Sequence, residues 1–470
     1  MTWVAPHIDY LAVAPMLVVF GAAVLGVLVE AIAPQRHPAQ LAVAVAVAGL
    51  VGAFVLLLIG ASRGALVTAE GAVAIDGPAV FLQAAILVLS LFAALLLTTE
   101  KPDGEVLPLM LFAVTGLLLM PAAHDLITLF VALEVLSLPL YVLCGLSRRR
   151  RLISQEASLK YFVLGGFSSA FYLYGAALVY GYSGSTSFAD IGPSPLVFVG
   201  AGLIAVALLF KLGLAPFHGW VPDVYQGAPT PVTGFMAAAT KVAAFGALLR
   251  LVAATGDLGG LWRPVLAAVA VLTMVVGAVV AVAQRDVKRM LGYSAISQGG
   301  FVLLGVGPAG LAGTLFYLAV YGFATLGSFA ALTLIRGGDD ETGDLASWAG
   351  IGRRSPLVAG ALSLFLLALA GIPLTSGFTG KFALFSAAVA GGRTWLVVVA
   401  VLASAIAVFV YAKVIVTMFF REPGHDGAVV VAPGAAATTV LAAGALVTLV
   451  AGVLPQPLLG LATEAAVFLP

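Results

Sequence analysis

Little in this chain could hold a metal, a redox cluster or a covalent cross-link. Its one cysteine, Cys144, excludes an internal disulfide and any thiolate-bound metal or iron–sulfur site. The five histidines, His7, His37, His124, His218 and His425, are scattered without ligand spacing. No zinc, Walker or nucleophile-elbow motif is present. Gly305, Gly307 and Gly310 match G-x-G-x-x-G in letters only: no strand precedes them, Pro308 interrupts them, and they fall in a turn. Any redox centre therefore belongs to another chain. Charge is equally scarce. Charged residues make up 9% and the net charge is +1, which excludes a nucleic-acid partner drawn by phosphate attraction. The longest polar stretch, Arg336 to Ser355, is about twenty residues, so no soluble domain is expected. No basic run precedes the first apolar segment, so no cleaved signal peptide is expected and the first span acts as its own insertion signal.

What remains is apolar. Hydrophobic residues account for 62%, the mean hydropathy is +1.14, and the 54 glycines suit helices that approach closely in a bilayer. A run of about twenty apolar residues crosses a bilayer as a helix. On that measure fourteen spans are expected, near 10–33, 40–60, 78–99, 106–122, 125–146, 158–181, 195–228, 230–254, 263–283, 286–307, 310–335, 356–390, 394–418 and 433–455. The seventh and twelfth are too long: as single helices they would reach about 50 Å, against roughly 30 Å of hydrocarbon. Pro216 and Pro222 interrupt one; Gly371, Pro373, Gly377 and Gly380 interrupt the other. Both read as discontinuous helices.

Basic residues support this count. Loops after odd-numbered spans carry thirteen: Arg36, Lys101, Arg148 to Arg151, Arg285, Lys288, Arg289, Arg336, Arg353, Arg354 and Arg421. The opposite loops carry four, Arg63, Arg250, Arg263 and Arg393. The positive-inside rule places the odd loops in the cytoplasm and both termini outside. Five lysines remain within spans: Lys160, Lys211, Lys241, Lys381 and Lys413. Spans four to eight and nine to thirteen repeat one plan, with the overlong helix fourth in each. An odd number of spans per unit inverts one copy relative to the other, a recurring transporter design. The expected fold is thus an all-α integral membrane protein of about fourteen transmembrane helices, with two inverted five-helix repeats. An N-terminal three-helix segment (1–105) comes first, then the repeats (106–254 and 263–418) and a C-terminal helix (433–470).

Ionisable groups at membrane depth cost roughly 2.5–3.5 kcal/mol each on insertion scales and tend to mark ion pathways. The segment from Lys211 to Lys241 holds two lysines, His218 and Asp223, interrupted by four prolines and four glycines. Non-helical backbone at that depth must line protein or water. Lys211 precedes the break and Lys241 lies near mid-membrane, so both are candidate proton carriers. Glu134 lies inside a span: alone it would be neutralised by burial, while an adjacent lysine would keep it ionised. His218 is either a satisfied helix-end histidine or a relay between lysines. Lys381, in S-G-F-T-G-K-F, is the counterpart of Lys211 in the second broken helix. Lys160, Lys413 and Glu30 lie near helix ends, where snorkelling to the interface is the plain alternative. Tyr317, Tyr321 and Thr325 share a helix face, open to simple packing or to ordering a water chain.

Together these segments carry a resemblance. F-K-L-G-L-A-P-F-H-G-W-V-P-D-V-Y-Q-G-A-P-T-P-V-T, R-D-V-K-R-M-L-G-Y-S-A-I-S-Q-G-G and G-I-P-L-T-S-G-F-T-G-K-F resemble the antiporter-like membrane subunits of the proton-pumping NADH–quinone oxidoreductase, respiratory complex I. Within them the wording is most similar to the subunit N branch, and the resemblance covers nearly the whole chain. It implies a proton-translocating subunit of a translocase, in a bacterial plasma (inner) membrane, with no cofactor of its own. NADH, FMN, iron–sulfur clusters and quinone would sit on partner subunits. The expected partners are an M-type antiporter-like subunit, small K-, J- and A-type subunits and the lipid bilayer. By the same resemblance Glu134 and Lys211 form an interacting pair, Lys241 is the central lysine reached through His218, and Lys381 is the terminal lysine. Lys160 matches the lysine of an E-A-x-x-K segment, and Tyr321 replaces a relay histidine. Two alternatives stay open: a subunit of a multisubunit sodium or potassium/proton antiporter, and a purely structural membrane subunit.

Overall fold

The computed structural model describes residues 7–32, 38–100, 104–147, 151–256, 260–338, 340–423 and 427–469. Among the expected charge and histidine positions, His37, His425, Arg36, Lys101 and Arg148 to Arg150 lie outside the described residues. The chain is built from helices. In order they are α1 (Tyr10–Ile32), α2 (Pro38–Ala61), α3 (Gly77–Leu97), α4 (Val106–Leu119), α5 (Leu126–Cys144), α6 (Arg151–Ser183), α7 (Pro195–Leu212), α8 (Val221–Gly227), α9 (Thr230–Phe235) and α10 (Lys241–Thr255). There follow α11 (Trp262–Ala283), α12 (Val287–Leu303), α13 (Leu311–Thr333), α14 (Ile351–Arg354), α15 (Pro356–Ala370), α16 (Ser376–Ala390), α17 (Thr394–Phe420), α18 (Ala435–Val453) and α19 (Gln456–Glu464). A π-helical turn, Met236–Thr240, joins α9 to α10. Among the described residues, 11 helices are long and apolar enough to cross a membrane, or up to 12 if a bent pair counts as one.

Local chemistry sets the helix ends. Asp76, Asp125 and Asp286 accept backbone N–H bonds at the starts of α3, α5 and α12, and Ser194 does so for α7 ahead of Pro195. Both overlong spans are interrupted. α7 stops at Gly213 (φ 66°) and the chain turns through 214–220 before α8. α15 stops at Gly371 (φ 87°), and α16 begins five residues later at Ser376. Left-handed glycines end helices without a Cβ penalty. Gly371 has a second constraint, since a Cβ there would lie 2.9 Å from Lys381 Cδ. Pro222, Gly377 and Gly380 are not at the breaks but inside the helices that follow them.

Packing separates an inner from an outer layer. In the apolar 18-residue stretches of Thr230–Thr255 and Pro308–Thr333, 94% of residues are buried, against 33% in those of α17 and α18, so α9, α10 and α13 form the centre. The outer helices present leucine, valine and phenylalanine outward, including Phe162, Phe167, Leu402 and Phe409. Two small sheets cap opposite ends. A hairpin, β1 (Leu66–Thr68) with β2 (Val73–Ile75), closes one. At the other, β3 (Ile335–Gly337) pairs with both β4 (Asp340–Glu341) and β5 (Val429–Val430). Asp286 bridges Asp344 at this second end, and the Leu345 amide bonds Arg285, which brings Arg285, Lys288, Arg289 and Arg336 to one side.

Candidate functional site: buried lysines around helix 12

Lys211 occupies the last turn of α7, two residues before its Gly213 cap, and is 3% exposed. Its ammonium donates to Ser137 Oγ (2.7 Å) and Tyr161 Oη (2.9 Å). The faces of Tyr161 and Tyr141 lie 4.9 and 5.6 Å from Nζ, within cation–π range. Tyr161 is stacked on Trp220 at 4.5 Å, and Trp220 is itself tied to the Phe210 carbonyl. The break after α7 therefore supplies the wall of the lysine's box. Glu134 sits one turn before Ser137 on α5, half-buried, and accepts from Ser169 Oγ. No ion pair joins Glu134 to Lys211 among the described residues; Ser137 takes the place nearest the ammonium.

Lys241 begins α10 directly after the π-helical turn and is 4% exposed. Such a turn within a helical run shifts the side chains that follow it, and π-turns gather at functional sites. Lys241 Nζ donates to the Ala295 carbonyl of α12 and lies 5.7 Å from the Tyr321 ring centre. Gly299, beside it on α12, lets Leu214 pack close, since a Cβ there would lie 2.4 Å from Leu214 Cδ2. Lys381, in α16, reaches back across the second break. It donates to the Leu369 and Ala370 carbonyls (2.9 and 3.0 Å) and to Ser404 Oγ (3.0 Å), 4.5 Å from the Phe301 ring centre. Its partners are the carbonyls freed where α15 ends, an arrangement favoured for a cation by the helix dipole.

Helix α12 connects the last two sites. Four residues after Ser294, Gln298 donates through Nε2 to the same Leu369 carbonyl (2.8 Å) and to Tyr411 Oη (3.2 Å), and accepts from Tyr317 Oη (2.5 Å). Tyr317 stacks on Tyr321 at 6.1 Å. Ser294 completes the group by bonding Tyr411. Lys381 thus joins a hydrogen-bonded polar cluster on α12, and Lys241 bonds the same helix one turn away. His218 lies in that break with a buried Nδ1 that has no protein partner, and no hydrogen bond joins it to Lys211 or Lys241 among the described residues.

Lys160 stands apart. Its side chain is 40% exposed and pairs with Glu156 and Asp223, both at 2.7 Å, while Asp223 also holds Arg289 at 2.5 Å. Lys413 donates to the Val282 and Gln284 carbonyls at the end of α11. Residue type alone did not point to Ser137, Tyr161, Gln298, Tyr411 or Ser404. The i, i+4 spacing of Ser294 and Gln298 was the one available signal, since two polar groups on one face of an apolar helix must find partners.

The chemistry of the three buried lysines follows from their partners. None touches a carboxylate; each is held by hydroxyls or carbonyl oxygens. An ammonium at Lys381 donates to all three partners. A neutral amine there can still donate to both carbonyls and accept from the Ser404 hydroxyl. At Lys211 either hydroxyl can likewise turn from acceptor to donor. At Lys381 and Lys211 both protonation states can thus be satisfied without moving the backbone, as a group that takes up and releases a proton requires.

Residues 123–407 match the family described as "NADH:quinone oxidoreductase/Mrp antiporter, TM". Full-length relatives include the NADH-quinone oxidoreductase subunit N of Rhodococcus opacus, 51% identical over 99% of this chain and 97% of the relative. The subunit N of Parafrankia sp. is 52% identical over 98% and 95%. Among solved structures, a chain of respiratory complex I from Thermus thermophilus with bound Aureothin superposes with a TM-score of 0.84 and 34% identity, covering 95% of this chain and 98% of that one. A chain of the Mrp complex from Dietzia sp. gives a TM-score of 0.86 at 26% identity, covering 97% of each. The fold and site define an antiporter-like membrane protein, and the chain belongs to the NADH:quinone oxidoreductase/Mrp antiporter transmembrane family.

Proposed function

We propose that this chain is a proton-translocating membrane-arm subunit of an NADH–quinone oxidoreductase, moving protons by way of Glu134, Lys211, His218, Lys241, Tyr321 and Lys381. The supporting observation is that its three deeply buried lysines rest on neutral oxygens and that Lys241 bonds α12 while Lys381 joins the polar cluster on that helix. The names and full-length similarity of the subunit N relatives support this setting. Redox chemistry then belongs to partner subunits carrying FMN, iron–sulfur clusters and quinone. The neighbours are an M-type antiporter-like subunit and small K-, J- and A-type subunits, in a bacterial plasma membrane with both termini outside. In this reading the helices make fourteen crossings, with α4 to α10 and α11 to α17 as the two inverted repeats.

Quinone reduction elsewhere changes the field at Glu134 and Lys211. Withdrawing the Glu134 charge leaves the ammonium uncompensated among apolar and aromatic walls, so its proton moves on towards His218 and Lys241. Lys241 passes it along waters to Lys381 and outward. Restoring the Glu134 charge draws the next proton from the cytoplasm. Lys160, paired with Asp223 and Glu156, lies at the edge of this route. Substituting Lys211→Ala and Lys241→Ala in the assembled complex tests the reading. Pumping per electron pair should be lost while the complex persists, and normal pumping in both variants would remove this chain from the route.

The superposition on the Mrp chain favours one competing reading, a cation/proton antiporter subunit. Collapsing only the sodium gradient in vesicles separates the two: proton movement driven by NADH persists in the first and falls in the second.

A further inference from the structure

Two buried hydroxyls near the second break make no hydrogen bond of good geometry among the described residues. They are Tyr321 Oη on α13 and Ser376 Oγ in the first turn of α16. Ser376 is fully buried and Tyr321 is 5% exposed. A buried hydroxyl left unpaired is costly, and native structures satisfy such groups with protein or ordered water. Both residues line one small cavity, with Tyr317, Leu369 and Gly377 also in its wall. It has room for about one water molecule. Gly377 keeps the wall close, because a Cβ there would lie 1.7 Å from the Ala368 carbonyl oxygen.

The position of this cavity is informative. On one side Tyr321 presents its ring to Lys241 at 5.7 Å. On the other, Leu369 carries the carbonyl that Lys381 grips at 2.9 Å. The cavity therefore borders one residue in contact with each lysine, where α15 and α16 part.

We propose that Ser376 is a positioning residue for proton transfer: with Tyr321 it holds a single water that links the Lys241 and Lys381 sites. This rests on the proton-translocating reading above. The water accepts a proton at its oxygen from one side and releases another on the other side. Each hydroxyl does the same, so only O–H bonds exchange and every oxygen ends with the protons it began with. The Gln298 cluster runs parallel but lacks this freedom, because its amide is held on both faces. A water between two otherwise unpartnered hydroxyls can turn.

The experiment uses the assembled complex in sealed vesicles, with proton movement per NADH oxidised normalised to the amount of complex. Ser376→Ala should slow pumping about three- to tenfold, the scale of one lost hydrogen bond. It should also change the solvent deuterium isotope effect. Ser376→Thr, which keeps the hydroxyl, should restore both. Ser376→Val, which fills the cavity with methyl groups, should be at least as impaired as the alanine variant. Wild-type pumping in Ser376→Ala, or equal damage in the threonine variant, overturns the proposal. Lys241→Ala is measured alongside. If it abolishes pumping while Ser376→Ala is silent, only the water site fails; if it too is silent, the translocation reading fails. Should the serine variants reduce assembly, a map of the wild-type complex at water-resolving resolution decides. Density within hydrogen-bond reach of both oxygens supports the site, and a dry cavity overturns it.

Discussion

Cations at the two ends of the bundle and cations at its centre are handled in opposite ways. Near the β1–β2 hairpin, Arg250 pairs with Asp76 at 2.8 Å, with side chains 3% and 1% exposed. Its Nε donates to the Pro121 carbonyl, and the ring of Phe468 lies 5.0 Å from the guanidinium. At the other end Lys288 meets Glu341 at 3.1 Å and the Ala228 carbonyl at 2.6 Å. These charges face carboxylates, which lock them in one state. Lys211, Lys241 and Lys381 form no ion pair among the described residues and donate their hydrogen bonds to hydroxyls and carbonyls. A carboxylate partner opposes deprotonation of a cation, whereas neutral oxygens tolerate it. Fixed charge ties the ends of the bundle together, and exchangeable charge occupies its middle.

Breaking the central class should have the largest functional effect. Lys241→Ala should cut proton pumping on the order of a hundredfold or more, the scale of losing a positioned proton-transfer group. The amount of assembled complex, read on a native gel, should stay near wild type. An equal loss of both would put Lys241 among the structural cations. Breaking the end class should do the reverse. Asp76→Ala leaves Arg250 buried without its counter-charge, which costs about 3–5 kcal/mol. The amount of complex should then fall steeply, while pumping per remaining complex is retained.

Acid sharpens the comparison further. Burial alone would raise the Glu341 carboxyl, but the Lys288 ammonium and the Thr230 amide outweigh it and hold it well below the usual carboxylate range. A carboxylate depressed in the folded state contributes stability that is fully present above its unfolded value, near 4.3, and is lost as pH falls to the folded value. Thermal melts of the solubilised complex should therefore show a loss below about pH 4. Glu341→Gln should be less stable at pH 7 and show a shallower acid slope; a slope unchanged from wild type would place the acid-sensitive group elsewhere. The smallest effect is expected at Lys160, whose pairs are part-exposed. Lys160→Ala should shift the melting free energy by roughly 0–1 kcal/mol.

Much of this comparison was legible in the residues. Helix breakers in two overlong apolar runs located both interruptions, although the stops fell at Gly213 and Gly371 and Pro222 proved to be the start of a helix. Lys211, Lys241 and Lys381 stood out because charge is rare in apolar surroundings. Their partners did not stand out, since serine, glutamine and tyrosine are unremarkable inside membrane helices. Nor did the residues show that Ser137, rather than Glu134, lies against Lys211. Both are on one face of α5, and Glu134 is instead turned to Ser169 of α6.

The sequence by itself determined that this is a helical membrane protein, where its helices break, and which rare charges lie inside. Those follow from local physics: the length of an apolar run, the conformational freedom of glycine, and the cost of a buried ion. Only the tertiary structure decided which oxygens hold each cation. Arg250 and Asp76 are 174 positions apart, and Gln298 and Leu369 are 71 apart. Contacts of that span depend on how whole helices cross, which no local pattern records. They separate the charges that hold the fold from those free to exchange a proton.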